Sequence, residues 1–264
     1  MLLIIDFGSQ VTQLIARRVR ELNVYCEIIS WEKDLLTTIE EKKPKAIILS
    51  GGPESTSSAF SPTIPSKIFE MSIPIFGICY GHQLLCKLFG GKVQKSPKRE
   101  FGRTLITKTT KKENPLLTGL FKKGTEQVWM SHGDAISQMP KSFISLAKSD
   151  NSDFAIIGNF EKNFFGVQFH PEVFHTKNGS KIIKNFLRIA NIKPDWTSTK
   201  ITEKIISDLN KKIGKEKVLC ALSGGVDSCV TALLLSKAIG RNLTCIFVDN
   251  GLLRKNEPTQ IIKL

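Results

Sequence analysis

The chain has 264 residues, 41% of them hydrophobic and 23% charged, and its 38 Lys and Arg outnumber 24 Asp and Glu for a formal net charge of +14. This length suits about two domains, the ordinary composition excludes a disordered or fibrous chain, and no apolar run approaches the ~20 residues that span a bilayer. The basic excess is mostly Lys, scattered as short pairs such as Lys42-Lys43, Lys111-Lys112, Lys122-Lys123 and Lys211-Lys212, with no arginine cluster interleaved with aromatics, which reads as a solvated surface and no nucleic-acid partner.

The first residues open directly on Leu2-Leu3-Ile4-Ile5, without a charged leader and cleavage site, so a cytoplasmic protein with no membrane partner is expected. Residues 2–5 predict a buried strand, 6–10 a turn, and 11–22 a helix whose apolar stripe is Val11, Leu14, Ile15, Val19 and Leu22. Asp6-Phe7-Gly8 spells a kinase signature, but no H-R-D loop or V-A-I-K strand accompanies it. Residues 25–30 predict a second strand, 34–42 a short helix, and 45–49 a third strand running into Ser50-Gly51-Gly52-Pro53. Such alternation predicts an α/β fold with a mostly parallel, doubly wound sheet, whose ligands bind beyond the carboxyl ends of its strands.

Pro74-Ile75-Phe76-Gly77-Ile78-Cys79-Tyr80-Gly81 then reads as a strand, a tight elbow and a helix. Glycines on alternate sides of Cys79 allow the sharp turn that lifts a nucleophile above a sheet. A cysteine is by default an inert buried side chain, so the assignment requires partners elsewhere. The six cysteines form no C-x-x-C pair, so neither a zinc knuckle nor a thioredoxin-type motif is present, and no redox cofactor is expected. Gly51-Gly52-Pro53 is either a plain turn or the source of a backbone donor, from Gly52, that pairs with the Tyr80 amide as an oxyanion hole.

Residues 82–89 predict a helix closed by Gly90-Gly91, and 92–117 an extended basic ribbon. Residues 128–130 predict a short strand opening into Ser131-His132-Gly133-Asp134, a polar turn. Residues 155–159 and 164–169 predict an antiparallel pair, the second delivering His170-Pro171-Glu172. Two residues apart in extended chain places Glu172 on the same side as His170, where it can fix the ring's tautomer. Residues 181–190 predict a closing helix, and 191–199 break the pattern. A second unit follows: a helix at 201–213, a strand at 217–222, the glycine-rich Ser223-Gly224-Gly225-Val226-Asp227-Ser228 leading into a helix at 229–239, and a strand at 243–248. Loop amides at a helix N-terminus suit a phosphate, and no G-x-x-x-x-G-K-[ST] is present.

In this order, the motifs Asp6-Phe7-Gly8-Ser9-Gln10, Leu49-Ser50-Gly51-Gly52-Pro53-Glu54-Ser55, Gly77-Ile78-Cys79-Tyr80-Gly81, Trp129-Met130-Ser131-His132-Gly133-Asp134 and Gly166-Val167-Gln168-Phe169-His170-Pro171-Glu172-Val173 resemble class I glutamine amidotransferases. With Leu222-Ser223-Gly224-Gly225-Val226-Asp227-Ser228 and Phe247-Val248-Asp249-Asn250-Gly251-Leu252-Leu253-Arg254, the whole chain resembles the N-terminal half of the glutamine-hydrolysing GMP synthase family. The resemblance implies a flavodoxin-like domain in which Cys79 attacks the glutamine side-chain amide, His170 is base and then acid, and Glu172 orients it. It implies an oxyanion hole from Gly52 and Tyr80 and a glutamine site at Gln83, Ser131, His132, Gly133 and Asp134. It further implies a Rossmann-like ATP pyrophosphatase unit whose Ser223, Gly224, Gly225, Val226, Asp227, Ser228 and Cys229 bind ATP, with Asp227 on Mg²⁺. XMP, ATP and glutamine would give GMP, AMP, pyrophosphate and glutamate, and the full-length family would form homodimers. The absent Walker lysine fits cleavage between the α- and β-phosphates.

The expected layout is an amidotransferase domain at 1–191, a linker at 192–200 and the beginning of the pyrophosphatase domain at 201–264. The family commonly carries methionine where His82 stands here, so His82 is given no catalytic role. Full-length relatives continue beyond this sequence, so a truncated chain that keeps the glutaminase half without forming GMP unaided, or an idle remnant, is also expected.

Overall fold

A computed structural model of the chain describes residues 1–264 apart from 59, 112, 250, 252, 253, 255, 263 and 264. Two compact units emerge, Met1–Asp195 and Trp196–Leu264, and their division falls inside the segment expected to be a linker.

The first unit alternates β1 (Leu2–Asp6), α1 (Thr12–Glu21), β2 (Cys26–Ser30), α2 (Leu35–Lys42), β3 (Ala46–Leu49), β4 (Ile75–Ile78) and α3 (Tyr80–Leu88). It continues through β5 (Lys92–Lys108), β6 (Thr125–Gln138), β7 (Ile144–Lys148), β8 (Ile156–Asn159), β9 (Phe164–Val167) and α4 (Gly179–Ile189). One sheet holds these strands in the order β2-β1-β3-β4-β9-β8-β7-β5-β6. The first five in that order pair in parallel, and the rest continue antiparallel from β9.

The parallel half is doubly wound because its strands are apolar on both sides. Leu2 and Ile4 pack with Ile15, Ala16 and Val19 of α1 and Ile182, Ile183 and Phe186 of α4. Leu3 and Ile5 face the other way, toward Leu35 and Ile39 of α2 and Leu84 and Leu85 of α3. Continuous apolar strands are what helices on both faces require. Phe76 of β4 stacks on Phe186 with ring centroids 5.1 Å apart, anchoring the strand that leads to the elbow.

In the first unit, two sequence expectations change. The helix expected from residue 82 begins at Tyr80, because Cys79 alone makes the turn. Residues 131–134, expected as a polar turn, lie inside β6, paired with β5 at Phe101↔Ser131 and Glu100↔His132. Their polarity reflects what they line, and the register shift between Lys95 and Glu100 lets β5 follow them. β7 had no expectation; it extends the antiparallel half between β8 and β5.

The second unit comprises α5 (Ser198–Ile213), β10 (Val218–Leu222), α6 (Val226–Ile239), β11 (Leu243–Phe247) and α7 (Glu257–Ile262). β10 and β11 pair in parallel. α5 begins within the expected linker, capped by the Thr197 side chain. Helix α6 begins at Val226, not at residue 229: Gly225 is its N-cap, and the Ser228 hydroxyl donates to the Gly225 carbonyl at 3.0 Å. Asn250, Leu252 and Leu253 of the last motif lie outside the described residues. Among the described residues, no helix is long and apolar enough to cross a membrane.

His82 is wholly buried on α3, and burial pushes its pKa down to about 3. The unfolded chain therefore binds a proton that the folded chain refuses between pH ~6.5 and the folded value, so this contribution to stability is complete above ~6.5 and is lost as pH falls. Between pH 7 and 4.5, wild type should lose about 2–3 kcal/mol more stability than His82→Met, read from urea unfolding of the first unit; equal losses would contradict the assignment.

Candidate active site

The elbow is built from backbone. Cys79 has φ 50° and ψ −101°, a conformation that L-residues adopt only when their surroundings enforce it. Its amide donates to the Val167 carbonyl at 2.8 Å, and the Gly81 amide donates to Ser50 at 3.0 Å, tying the turn to β9 and to the end of β3. A Cβ on Gly77 would stand 2.5 Å from the Gly81 carbonyl oxygen, and one on Gly81 would strike the Leu49 carbonyl. Only glycine lets α3 rise this close to β3, which explains the spacing seen in the sequence.

Beyond β9, His170 Nδ1 lies 2.7 Å from Glu172 Oε1, and both side chains are buried. Thr176 locks the segment in place: its hydroxyl donates to the His170 carbonyl at 2.6 Å and accepts from the Trp129 amide at 3.0 Å. Arg18 Nε donates to the Glu172 carbonyl at 2.9 Å. Burial, the largest influence on His170, disfavours its charge, but hydrogen bonds with Cys79 and Glu172 and the charges of both outweigh it and raise the pKa to about 10. The imidazole is thus held beside the thiol in a setting that welcomes a proton.

Cys79 and His170 line one cleft of about 370 Å³ with Gly52, Trp129 and Ser131. An adjoining cleft of about 350 Å³ is lined by Cys79, Tyr80, Gln83, Ser131, His132, Gly133 and Asp134. Every residue predicted for the triad, the oxyanion hole and the glutamine site therefore borders these two spaces except Glu172, which stands behind His170. Among the described residues, neither the Gly52 nor the Tyr80 amide has an acceptor within the chain. Gly51 leaves room for His170, whose Cε1 would be 3.3 Å from an added Cβ.

Within the predicted set the roles divide. Gln83 Nε2 donates to the Asp134 carbonyl at 2.8 Å and to Gln168 Oε1 at 3.2 Å, so its NH2 end is held by the wall of the cleft. His132 likewise has both ring nitrogens engaged. Ser131, Gly133 and Asp134 line the same cleft, with Ser55 donating to the Asp134 carboxylate. Sequence reading missed Gln168, which is fully buried with Nε2 3.8 Å from Cys79 Sγ. Its place two residues before His170, inside a recognised motif, was the available signal.

In the second unit, the Ser223 amide donates to Ser228 Oγ at 3.3 Å and the Gly225 amide to Ser223 Oγ at 3.3 Å. The loop is closed by its own serines, with Asp227 in the first turn of α6.

A strained cysteine elbow on a doubly wound sheet, facing a buried His–Glu pair, is the arrangement of a glutamine-splitting domain. Residues 3–190 match the family described as glutamine amidotransferase class-I, and the chain belongs to that family. Its relatives narrow the comparison: it is 50% identical over 262 residues to a glutamine-hydrolysing GMP synthase of Ruegeria sp. (strain TM1040), and 48% identical over 265 residues to that of Brucella ovis. The aligned regions cover 99% and 100% of this chain but 50% of each relative, so the chain spans about half the length of the curated relatives it matches. A solved chain from Thermoplasma acidophilum, described provisionally as one subunit of a GMP synthase, superposes with TM-score 0.61 at 28% identity, covering 77% of this chain and 96% of that one. A Thermotoga maritima glutamine amidotransferase shares the fold with TM-score 0.54 at 21% identity, covering 77% and 91%. Residues 216–260 match the description tRNA methyl transferase HUP domain.

Gly81→Ala should destabilise the first unit by about 2 kcal/mol or more, the upper range for an overpacked core. Thermal unfolding checks this; an unchanged melting temperature would show that the elbow has room to spare.

Proposed function

We propose that the chain releases ammonia from glutamine, as the glutamine-hydrolysing part of GMP synthesis. The placement of the strained Cys79 against the His170–Glu172 pair carries this reading. Cys79 Sγ attacks the side-chain amide carbon while His170 takes the thiol proton, and Glu172 accepts from Nδ1–H to keep Nε2 directed at the sulfur. The amides of Gly52 and Tyr80 receive the oxyanion. His170 returns the proton to the departing ammonia, leaving a γ-glutamyl thioester. Water, deprotonated by His170, then cleaves the thioester to glutamate and restores the thiol. The Asp134 carboxylate suits the substrate's ammonium group, and Ser131 and Gly133 its amino-acid end.

ATP is proposed for the second unit, held by its pyrophosphate on residues 223–229, and XMP as the acceptor of the ammonia. Mg²⁺ fits this setting through Asp227, a single carboxylate beside a phosphate loop, because Mg²⁺ on nucleotides commonly takes one or two protein carboxylates plus phosphate oxygens and water. When bound, it would neutralise phosphate charge.

The 264-residue chain incubated with glutamine should release equimolar ammonia and glutamate, and a glutamine-like electrophile should modify Cys79 stoichiometrically. Cys79→Ser should abolish both, and His170→Ala should slow release by about 10²–10⁴-fold. A correctly folded chain that neither releases ammonia nor takes the label would refute the reading, leaving an idle domain.

A further inference from the structure

Opposite the triad, across the cleft, lies a second buried histidine–carboxylate pair that the proposed chemistry does not use. Glu100 and His132 are each 4% exposed and sit directly across from one another in the β5–β6 ladder, where β5 resumes pairing after its irregularity. His132 Nε2 is 3.1 Å from Glu100 Oε2, and His132 Nδ1 is 2.9 Å from the Asp134 carbonyl oxygen. Ser149 Oγ donates to Glu100 at 2.9 Å, and Asn151 Nδ2 reaches Oε1 at 3.5 Å.

Hydrogen-bond chemistry fixes the proton count. A carbonyl oxygen only accepts, so Nδ1 must carry a hydrogen. Nε2 then faces a carboxylate oxygen, and that contact is attractive only if a proton lies between them, whichever atom carries it. Without it, a nitrogen lone pair would oppose a carboxylate in a dry interior, at a cost comparable to that of an unpaired buried polar group. The same Asp134 carbonyl also accepts from Gln83 Nε2 at 2.8 Å, so the chain of contacts runs from Glu100 through His132 and Asp134 to α3 just behind Cys79. Burial, the largest influence on the His132 ring, pushes its pKa down while Glu100 and the Asp134 carbonyl push it up; the other titratable groups that act on the pair are His82 from α3 and His170 beyond β9.

We propose that Glu100 is a positioning residue for glutamine: by sharing one proton with His132, it braces the Ser131–Asp134 wall that receives the substrate. This rests on the reading of Cys79 as a glutamine-splitting nucleophile. Glutamine in place of Glu100 satisfies the same contacts, its amide NH donating to Nε2 and its oxygen accepting from Ser149, whereas leucine satisfies none.

The test compares glutamine hydrolysis by wild type, Glu100→Gln, Glu100→Leu and Ser149→Ala with NMR titration of the His132 ring in the full 264-residue chain. Glu100→Gln should keep KM for glutamine within about twofold of wild type, while Glu100→Leu raises it about tenfold or more with kcat within about threefold, and Ser149→Ala falls between. The wild-type His132 resonance should hold one protonation state between about pH 6 and 8. A Glu100→Leu KM equal to wild type, a Glu100→Gln loss as large as that of leucine, or a ring that titrates near ~6.5 overturns the proposal. Should Glu100→Leu not fold, the Gln and Ala variants and the titration still decide it. An idle wild type defeats the glutaminase reading alone, since the NMR readout needs no turnover.

Discussion

The parallel pairing of β4 with β9 holds nucleophile and base in one place. Its register matches Gly77 with Gly166 and Ile78 with Val167, and the Cys79 amide continues the ladder onto the Val167 carbonyl. Two strand ends from distant parts of the sequence therefore leave the sheet side by side, one turning into the elbow and the other running on to His170. A slip of one residue would swing every β9 side chain to the opposite face and take His170 with it. Glycine on both strands has a reason: a Cβ at Gly77 would meet the Gly81 carbonyl, and one at Gly166 would strike the His82 ring. The apolar embrace of Phe76 by Phe186 keeps this pair from shifting.

Much of this could be read from the residues. Strand–helix alternation, the glycine spacing about Cys79 and the His170–Glu172 interval each rest on short-range geometry that a sequence displays directly. What escaped reading depends on long-range pairing. Ser131 to Asp134 resemble a turn in composition, but their conformation is dictated by β5, whose irregularity after Lys95 is marked in the sequence only by Ser96-Pro97. Glu100 in a basic, extended stretch looks solvent-facing; only the approach of β6 and the 149–151 loop buries it. Gln83 and His132 line the cleft, and the contacts that hold them there come from Asp134, Gln168 and Glu100, up to 85 residues away. The start of α6 at Val226 was hidden because glycine and serine suit loops and N-caps alike.

The two units differ in how they are held. The first buries apolar residues on both faces of its sheet. In the second, the buried apolar residues described are Cys220, Leu235, Ala238 and Ile261, while Leu219, Leu233 and Val248 are 67%, 57% and 72% exposed. Its order leans on β10–β11 pairing and on local bonds such as Asn210 Nδ2 to the Ala238 carbonyl at 2.8 Å. Exposed apolar surface of this kind favours association with other surfaces, so the glycine-rich loop is mounted on a softer platform than the cysteine elbow.

The position of β9 also bears on how the molecule is made. Among the strands of the first unit it is the last in sequence, yet it lies between β4 and β8 near the middle of the sheet. During synthesis, the β2-β1-β3-β4 half can form early, but its β4 edge stays open until residues 164–167 arrive. Closing it demands contacts of high sequence separation, the slow kind. A nascent chain would thus leave the edge of β4 unpaired while residues 79 to 163 are made, and the thiol would meet its base only after the final strand had joined the two halves.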